Sequence, residues 1–222
     1  MMMITTQQLV FAQLNPFAKL EDTNQWLQQV IPYQPKAVLV LPMFVKSAVA
    51  VLSPAGIPVQ TVIGYPYGHS AIEAKVAELI LAILDGAKQI ELMINNCALQ
   101  NNDWQYLANE LNTIAAIAQS KQCQLIVNIE AAMLSQEDII RCCDLYGIAG
   151  VSAVKSGSDH EGPADVEIVK LMRTHLADSV AIEVAAGLKS VTVAQGYLRA
   201  GANWLATTDG MQIATLALTS EN

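Results

Sequence analysis

Lys155 closes a short apolar run, Ala153-Val154-Lys155, and is followed by Ser156-Gly157-Ser158. A lysine in that setting can do one of two things. As a neutral amine it attacks a carbonyl and forms a Schiff base. As an ammonium it binds an anion or pairs with a carboxylate. The strand context leaves both open. Carboxylates stand in three other apolar runs: Glu91 within Ile90–Asn95, Glu130 at the end of Leu125–Glu130, and Glu183 within Val180–Ala185. Asn95, Asn128, Thr207 and Thr208 are further polar residues in such runs. Four consecutive strands that each carry a charge make a poor inert core, because an unpaired buried charge is costly. The pattern points to a working polar cluster; a purely structural ion-pair layer is the plainer alternative.

The elements that must position these residues are legible as an alternating series. Apolar runs with strand character are Leu9–Leu14, Ala37–Pro42, Val59–Gly64, Ile90–Asn95, Leu125–Glu130, Gly150–Lys155, Val180–Ala185 and Trp204–Thr208. Segments with helical spacing lie between them. In Ser70–Leu84 the residues Ile72, Val76, Leu79, Ile80 and Ile83 fall on one predicted face,. Ser70 with Glu73, and Ser135 with Asp138, have the spacing of capping boxes, and Pro163 stands where a helix containing Val166, Val169 and Met172 would open,. Eight strands alternating with helices imply right-handed βαβ units and a parallel sheet. No G-x-G-x-x-G follows any strand, which argues against an open dinucleotide-binding sheet. The expected architecture is therefore α/β, a (β/α)₈ TIM barrel of eight parallel strands, as one domain over residues 1–222. In such a barrel the side chains at the C-terminal strand ends build the active site. Alternation then turns Glu91, Met93 and Asn95 to one face while Ile90, Leu92 and Ile94 meet the helices.

Composition narrows the function further. The chain has 222 residues, 53% of them apolar and only 14% charged, which calls for a wide interior,. Its 20 acidic and 12 basic residues give a net charge of −8, with no basic run. Nucleic acid and anionic membrane are excluded as main partners, since both need clustered Lys and Arg. No apolar stretch approaches the ~18–20 residues of a membrane span. Met1–Leu9 has no basic, apolar leader pattern, so the expected location is the cytoplasm,. Cys97, Cys123, Cys142 and Cys143 form no C-x-x-C and have no histidine at ligand spacing. They read as reduced, buried thiols, and no metal site is expected.

Several stretches, in order and spacing, resemble the class I deoxyribose-phosphate aldolase family. They are Pro42-Met43-Phe44-Val45; Gly64-Tyr65-Pro66-Tyr67-Gly68 with Glu73 and Lys75 behind it; and Asn95 through Ala98-Leu99 to Asp103-Trp104. Val166 through Met172 and Gly201-Ala202 complete the set, so the resemblance runs from about Ala37 to Ile213. It implies a barrel that cleaves 2-deoxyribose 5-phosphate to glyceraldehyde 3-phosphate and acetaldehyde through a lysine Schiff base. Lys155, in Val154-Lys155-Ser156, takes the place of the Schiff-base lysine, and Glu91 that of a catalytic aspartate. Ala186-Gly187-Leu188-Lys189-Ser190 stands at the phosphate loop. The substrate- and phosphate-binding set so implied is Gly187, Lys189, Ser190, Thr208 and Ser156. No cofactor is implied, because the imine is itself the electron sink. The implied partner is a small sugar phosphate or aldehyde, and a homodimer is one assembly open to such a chain.

The departures from that family are specific. Glu183 stands where a second lysine belongs, Asp159 replaces a glycine, Asp209 replaces a serine, and an apolar stretch near Val10 replaces an N-terminal aspartate. A neighbouring lysine disfavours protonation of the nucleophile, whereas a carboxylate favours it. At a separation of ~5 Å and an effective dielectric of ~20, one charge is worth about 3 kcal/mol, roughly two pKa units. Lys155 is thus expected to rest as an ammonium. Asp159 and Asp209 would repel a phosphate dianion, opposed by Lys189. Glu183 becomes a second, substituted proton carrier beside Lys155 and Glu91. The competing reading is a barrel of the same family with an altered substrate, or one that binds a small molecule or partner without chemistry. His160 beside the pocket would suit a proton shuttle, though a surface loop histidine is the plainer reading, and His69 carries no assignment,.

Overall fold

Lys155, Glu183 and Trp204 occupy matching positions on three successive strands, and the barrel that brings them together is closed. A computed structural model describes residues 4–147, 150–157, 165–185, 188 and 190–219. Its strands are β1 (Leu9–Gln13), β2 (Ala37–Val40), β3 (Val59–Ile63), β4 (Gln89–Met93), β5 (Gln124–Asn128), β6 (Ala153–Lys155), β7 (Ala181–Ala185) and β8 (Trp204–Thr207). Each pairs in parallel with the next, and β8 pairs with β1 to close the circuit. All eight apolar runs of the sequence contain strands; six strands end a residue or two before their runs, where the chain turns into loops, while β6 and β7 begin later than theirs.

The helices are α1 (Leu20–Val30), α2 (Val45–Leu52), α3 (Ile72–Leu84), α4 (Asn96–Gln100), α5 (Trp104–Ser120), α6 (Gln136–Tyr146), α7 (Val166–His175), α8 (Val191–Arg199) and α9 (Gly210–Thr219). Short polar side chains start most of them by accepting orphan backbone N–H groups. Asn95 caps α4 through Ala98 N at 3.0 Å, Asp103 caps α5 through Tyr106 N at 3.0 Å, and Ser135 caps α6 through Asp138 N at 3.1 Å. Asp165 caps α7. That helix begins at Val166, so Pro163, outside the described residues, precedes its cap instead of opening it. The expected box at Ser70 and Glu73 does not form. Ala71 is the N-cap of α3 and makes no side-chain cap. The inward face of α3 is Lys75, Leu79 and Ala82, while Ile80 is substantially exposed. Of the predicted face, Leu79 is in the core with Val76 and Ile83 packed against it, and Ile80 is turned outward, because Lys75 takes a buried position on the same helix.

Two apolar regions hold the barrel. The larger lies between sheet and helices and includes Ile90, Leu92 and Ile94 of the β4 segment. The smaller fills one side of the barrel interior with Val10, Ala12, Ala37, Leu39, Val62 and Ala206, from β1, β2, β3 and β8. The other side of the interior, served by β4 to β7, receives Glu91, Asn128, Lys155 and Glu183, all buried. The interior is therefore split into an apolar half and a polar half, and the charges sit against a low-dielectric wall. No helix among the described residues is long and apolar enough to cross a membrane. The four thiols are free, but Cys97 on α4 is exposed, contrary to expectation. Cys123, Cys142 and Cys143 are buried, and burial pushes the Cys123 thiol up to about 11.

Candidate active site

The site is built from strand register. Lys155 lies opposite Asn128 on one side and Glu183 on the other, and Glu183 lies opposite Trp204. These residues share a ladder register, which runs from the last residue of β5 and β6 through the middle of β7 to the first residue of β8, a consequence of barrel stagger,. Lys155, 2% exposed, places Nζ 2.7 Å from Glu91 Oε2 and 3.1 Å from Glu183 Oε1. The pairing with Glu183 is the one its position on the adjacent strand predicts. Glu91 reaches the same ammonium from β4, across the barrel interior.

Neutral donors complete both carboxylates. Gln60 Nε2 on β3 donates to Glu91 Oε2 and to Glu183 Oε1, each at 3.3 Å. Asn128 Nδ2 donates to Glu91 Oε1 at 2.8 Å and to the Gly157 carbonyl at 3.2 Å. Trp204 Nε1 donates to Glu183 Oε2 at 2.6 Å. Asn128, one of the polar residues singled out in the apolar runs, thus satisfies polar groups of its neighbours. Gln60 and Trp204 were missed. The same criterion, a polar residue in an apolar run, would have found Gln60. Nothing in the sequence shows that a strand's opening tryptophan reaches the carboxylate of the strand before it.

The electrostatics follow from three charges in a buried space. Burial by itself pushes the Lys155 ammonium down, but Glu91 and Glu183 together outweigh it, and the net displacement is upward. For Glu91, burial dominates and raises its carboxyl; Lys155 opposes that, Glu183 adds to it, and the Asn128 amide opposes it. The resting cluster is an ammonium held between two acids, one of them disposed to take a proton. That is the arrangement the charge argument from sequence expects.

The remaining sequence candidates are scattered. Ser156 is buried beside Lys155; its backbone N–H donates to the Glu183 carbonyl at 2.9 Å. Ser190 caps α8 by accepting from Val193 N at 3.3 Å. Thr208 is exposed at the end of β8, as is Asp209, whose N–H donates to Thr207 Oγ1 at 3.1 Å. Gly187, Lys189, Asp159 and His160 lie outside the described residues. His69 is exposed, with its ring stacked on Tyr67. Asn95 leaves the barrel interior altogether, because capping α4 claims its side chain.

A second buried ion pair supports the loops around the site. Lys75 Nζ on α3 lies 2.6 Å from Glu110 Oε1 on α5 and donates to the Met93 carbonyl at 2.8 Å. Glu110 Oε2 accepts from Asn95 N at 3.2 Å. The pair thus ties the end of β4, two residues past Glu91, to two helices. Burial lowers Lys75 and raises Glu110, each opposed by its partner. Among the described residues no cluster of histidine, cysteine and carboxylates is arranged to hold a metal ion.

Fold and site together define a (β/α)₈ barrel with a lysine–carboxylate centre inside it, level with the C-terminal ends of β5 and β6. No family model matches the chain. The curated deoxyribose-phosphate aldolase of Thermococcus gammatolerans is 34% identical over 211 residues, covering 94% of each chain. A solved structure described as an aldolase superposes with a TM-score of 0.92 at 23% identity, over 99% of this chain and 98% of that one. The tetrameric deoxyribose phosphate aldolase from Aeropyrum pernix gives 0.88 at 18% identity, over 98% and 92%. These two superpositions show the shared fold. The sequence relationship carries the assignment: the chain belongs to the deoxyribose-phosphate aldolase family.

Proposed function

We propose that this chain is a cytoplasmic lysine-dependent aldolase that cleaves 2-deoxyribose 5-phosphate or a related aldehyde adduct, with Lys155 as nucleophile. The observation that carries the reading is Lys155 Nζ at 2.7 Å from Glu91 and 3.1 Å from Glu183, inside a barrel of this family. When an aldehyde enters, Lys155 passes a proton to Glu91, whose carboxyl burial has already raised. The neutral amine adds to the aldehyde carbon, C1, and Glu91 returns the proton to the departing hydroxyl, so that water leaves and an iminium forms. A carboxylate then takes the proton of the C3 hydroxyl. The C2–C3 bond breaks, its electron pair passes into the iminium to give an enamine, and the C3 fragment leaves as an aldehyde. Protonation of the enamine carbon and hydrolysis release the two-carbon aldehyde and restore Lys155. Glu183 serves as the second proton carrier and as the counter-charge of the resting ammonium. The proposed phosphate contacts are Gly187, Lys189, Ser190, Thr208 and Ser156, with the N-terminus of α8 favouring an anion. The test is borohydride trapping of acetaldehyde on the purified protein, read by mass spectrometry. A trapped adduct on Lys155, missing from Lys155→Ala, supports the reading. Its absence at every pH would leave a barrel that binds without this chemistry.

A further inference from the structure

Trp204 is the first residue of β8, so its indole enters the polar cluster from the N-terminal floor of the barrel, opposite the face where substrate is expected,. Its Nε1–H meets Glu183 Oε2 at 2.6 Å, the shortest hydrogen bond within the Lys155 cluster. The other oxygen of Glu183 carries Lys155 at 3.1 Å and Gln60 at 3.3 Å. Among the described residues the donors facing Glu183 are Lys155 from β6, Gln60 from β3 and Trp204 from β8. Glu91 on β4 is the other acid on the same ammonium. Lys36, just before β2, holds its ammonium 4.1 Å from the centroid of the Trp204 ring. A cation on the π face draws electron density from the indole and favours N–H donation. The partly exposed indole links a cation at the barrel floor to the counter-charge of the central lysine.

We infer that Trp204 is a positioning residue which holds the Glu183 carboxylate against Lys155, so that the reactivity of the amine is set from the floor of the barrel. The inference rests on the Lys155 reading above only for its chemical consequence. Loss of the indole N–H removes the anchor of Glu183 Oε2 and frees the carboxylate to turn from Lys155,. A carboxylate no longer held against the ammonium no longer holds its proton. Removing a hydrogen bond on the side away from substrate should therefore make the lysine more reactive at neutral pH, the reverse of what damage to a structural residue does.

The experiment follows Lys155 directly, by ¹³C-lysine titration in the full chain, with its resonance assigned by loss in Lys155→Ala. Trp204→Phe keeps an apolar ring and removes the donor, and Trp204→Leu is a second apolar variant should the first not fold. The expected result is a Lys155 midpoint lowered by about one pH unit, with roughly tenfold faster acetaldehyde trapping at pH 7. In a Glu183→Gln background the same substitution should add little, since the coupling passes through Glu183. An unmoved midpoint, or a full shift that persists without Glu183, overturns the inference. A shifted midpoint with no trapping in any variant upholds it and removes the aldolase reading instead.

Discussion

Glu183 Oε1 lies 3.1 Å from Lys155 Nζ, across adjacent strands and in register. Where its family relatives are expected to hold two lysines that repel each other's protons, this barrel holds a lysine and an acid that share one. The Lys155 ammonium is correspondingly stabilised: burial opposes its charge, and the carboxylates of Glu91 and Glu183 more than compensate. The consequence is that the proposed nucleophile rests in its unreactive form.

Cleavage of 2-deoxyribose 5-phosphate should accordingly be slow at neutral pH and should quicken as pH rises. The sign follows from the displacement of Lys155: an ammonium held above its ordinary value has little neutral amine at pH 7, and that fraction grows roughly tenfold per pH unit below the midpoint. Steady-state rates between pH 6 and 10, with Lys155→Ala as the blank, check this. A flat profile at a turnover typical of the family would refute it. Faster cleavage of the unphosphorylated sugar than of the phosphate would identify the altered-substrate form of the proposal, the outcome the sequence resemblance expects if Asp159 and Asp209 oppose the phosphate.

Glu183→Gln should speed imine formation at pH 7 by at least about tenfold, because it removes a charge worth more than one pKa unit at this separation. The amide keeps an acceptor for Trp204 and so limits collateral damage. Glu183→Lys should lower the Lys155 midpoint further by restoring like charges. Rates of borohydride trapping measured across pH decide the matter, and an unchanged Lys155 titration in both variants would show the charge argument to be wrong.

The Lys75–Glu110 pair is expected to matter for stability. Lys75→Met leaves Glu110 buried with its charge unpaired, at a cost of about 3–5 kcal/mol. Lys75→Met combined with Glu110→Leu should recover much of that loss, since neither charge then remains buried. Urea unfolding of the two variants gives the comparison. Equal destabilisation by both would mean that the hydrogen bonds to the Met93 carbonyl and to Asn95 N, not the charges, carry the effect.

Gly68 is held at φ +71°, and a Cβ there would lie 1.8 Å from the Ile94 carbonyl oxygen. Gly68→Ala should therefore destabilise by more than about 1 kcal/mol and disturb the loop that follows β4. A shift in the thermal midpoint smaller than that of Ser135→Ala, where only one helix cap is lost, would contradict this ranking.

Sequence alone determined the barrel and the charges inside it. Eight apolar runs are eight strands because a strand buried on both faces must be apolar, and interruptions by Glu91, Asn128, Lys155 and Glu183 stand out against that requirement. The sign of the effect of Glu183 on Lys155 was also legible, since it needs only adjacency and Coulomb's law. The partners that finish the cluster were not. Gln60 and Trp204 reach it through stagger, which aligns the second residue of one strand with the last of another and the first of a third, and no local pattern records that alignment. For the same reason no partner for Lys75 was legible in the sequence. Only the folded chain sets Glu110, thirty-five residues on, within 2.6 Å of it. Asn95, two residues beyond the last ladder position of β4 it seemed to continue, was taken out of the barrel by the nearer demand of an uncapped helix. Local chemistry fixes which residues resist burial; which of them meet is decided by closure of the sheet.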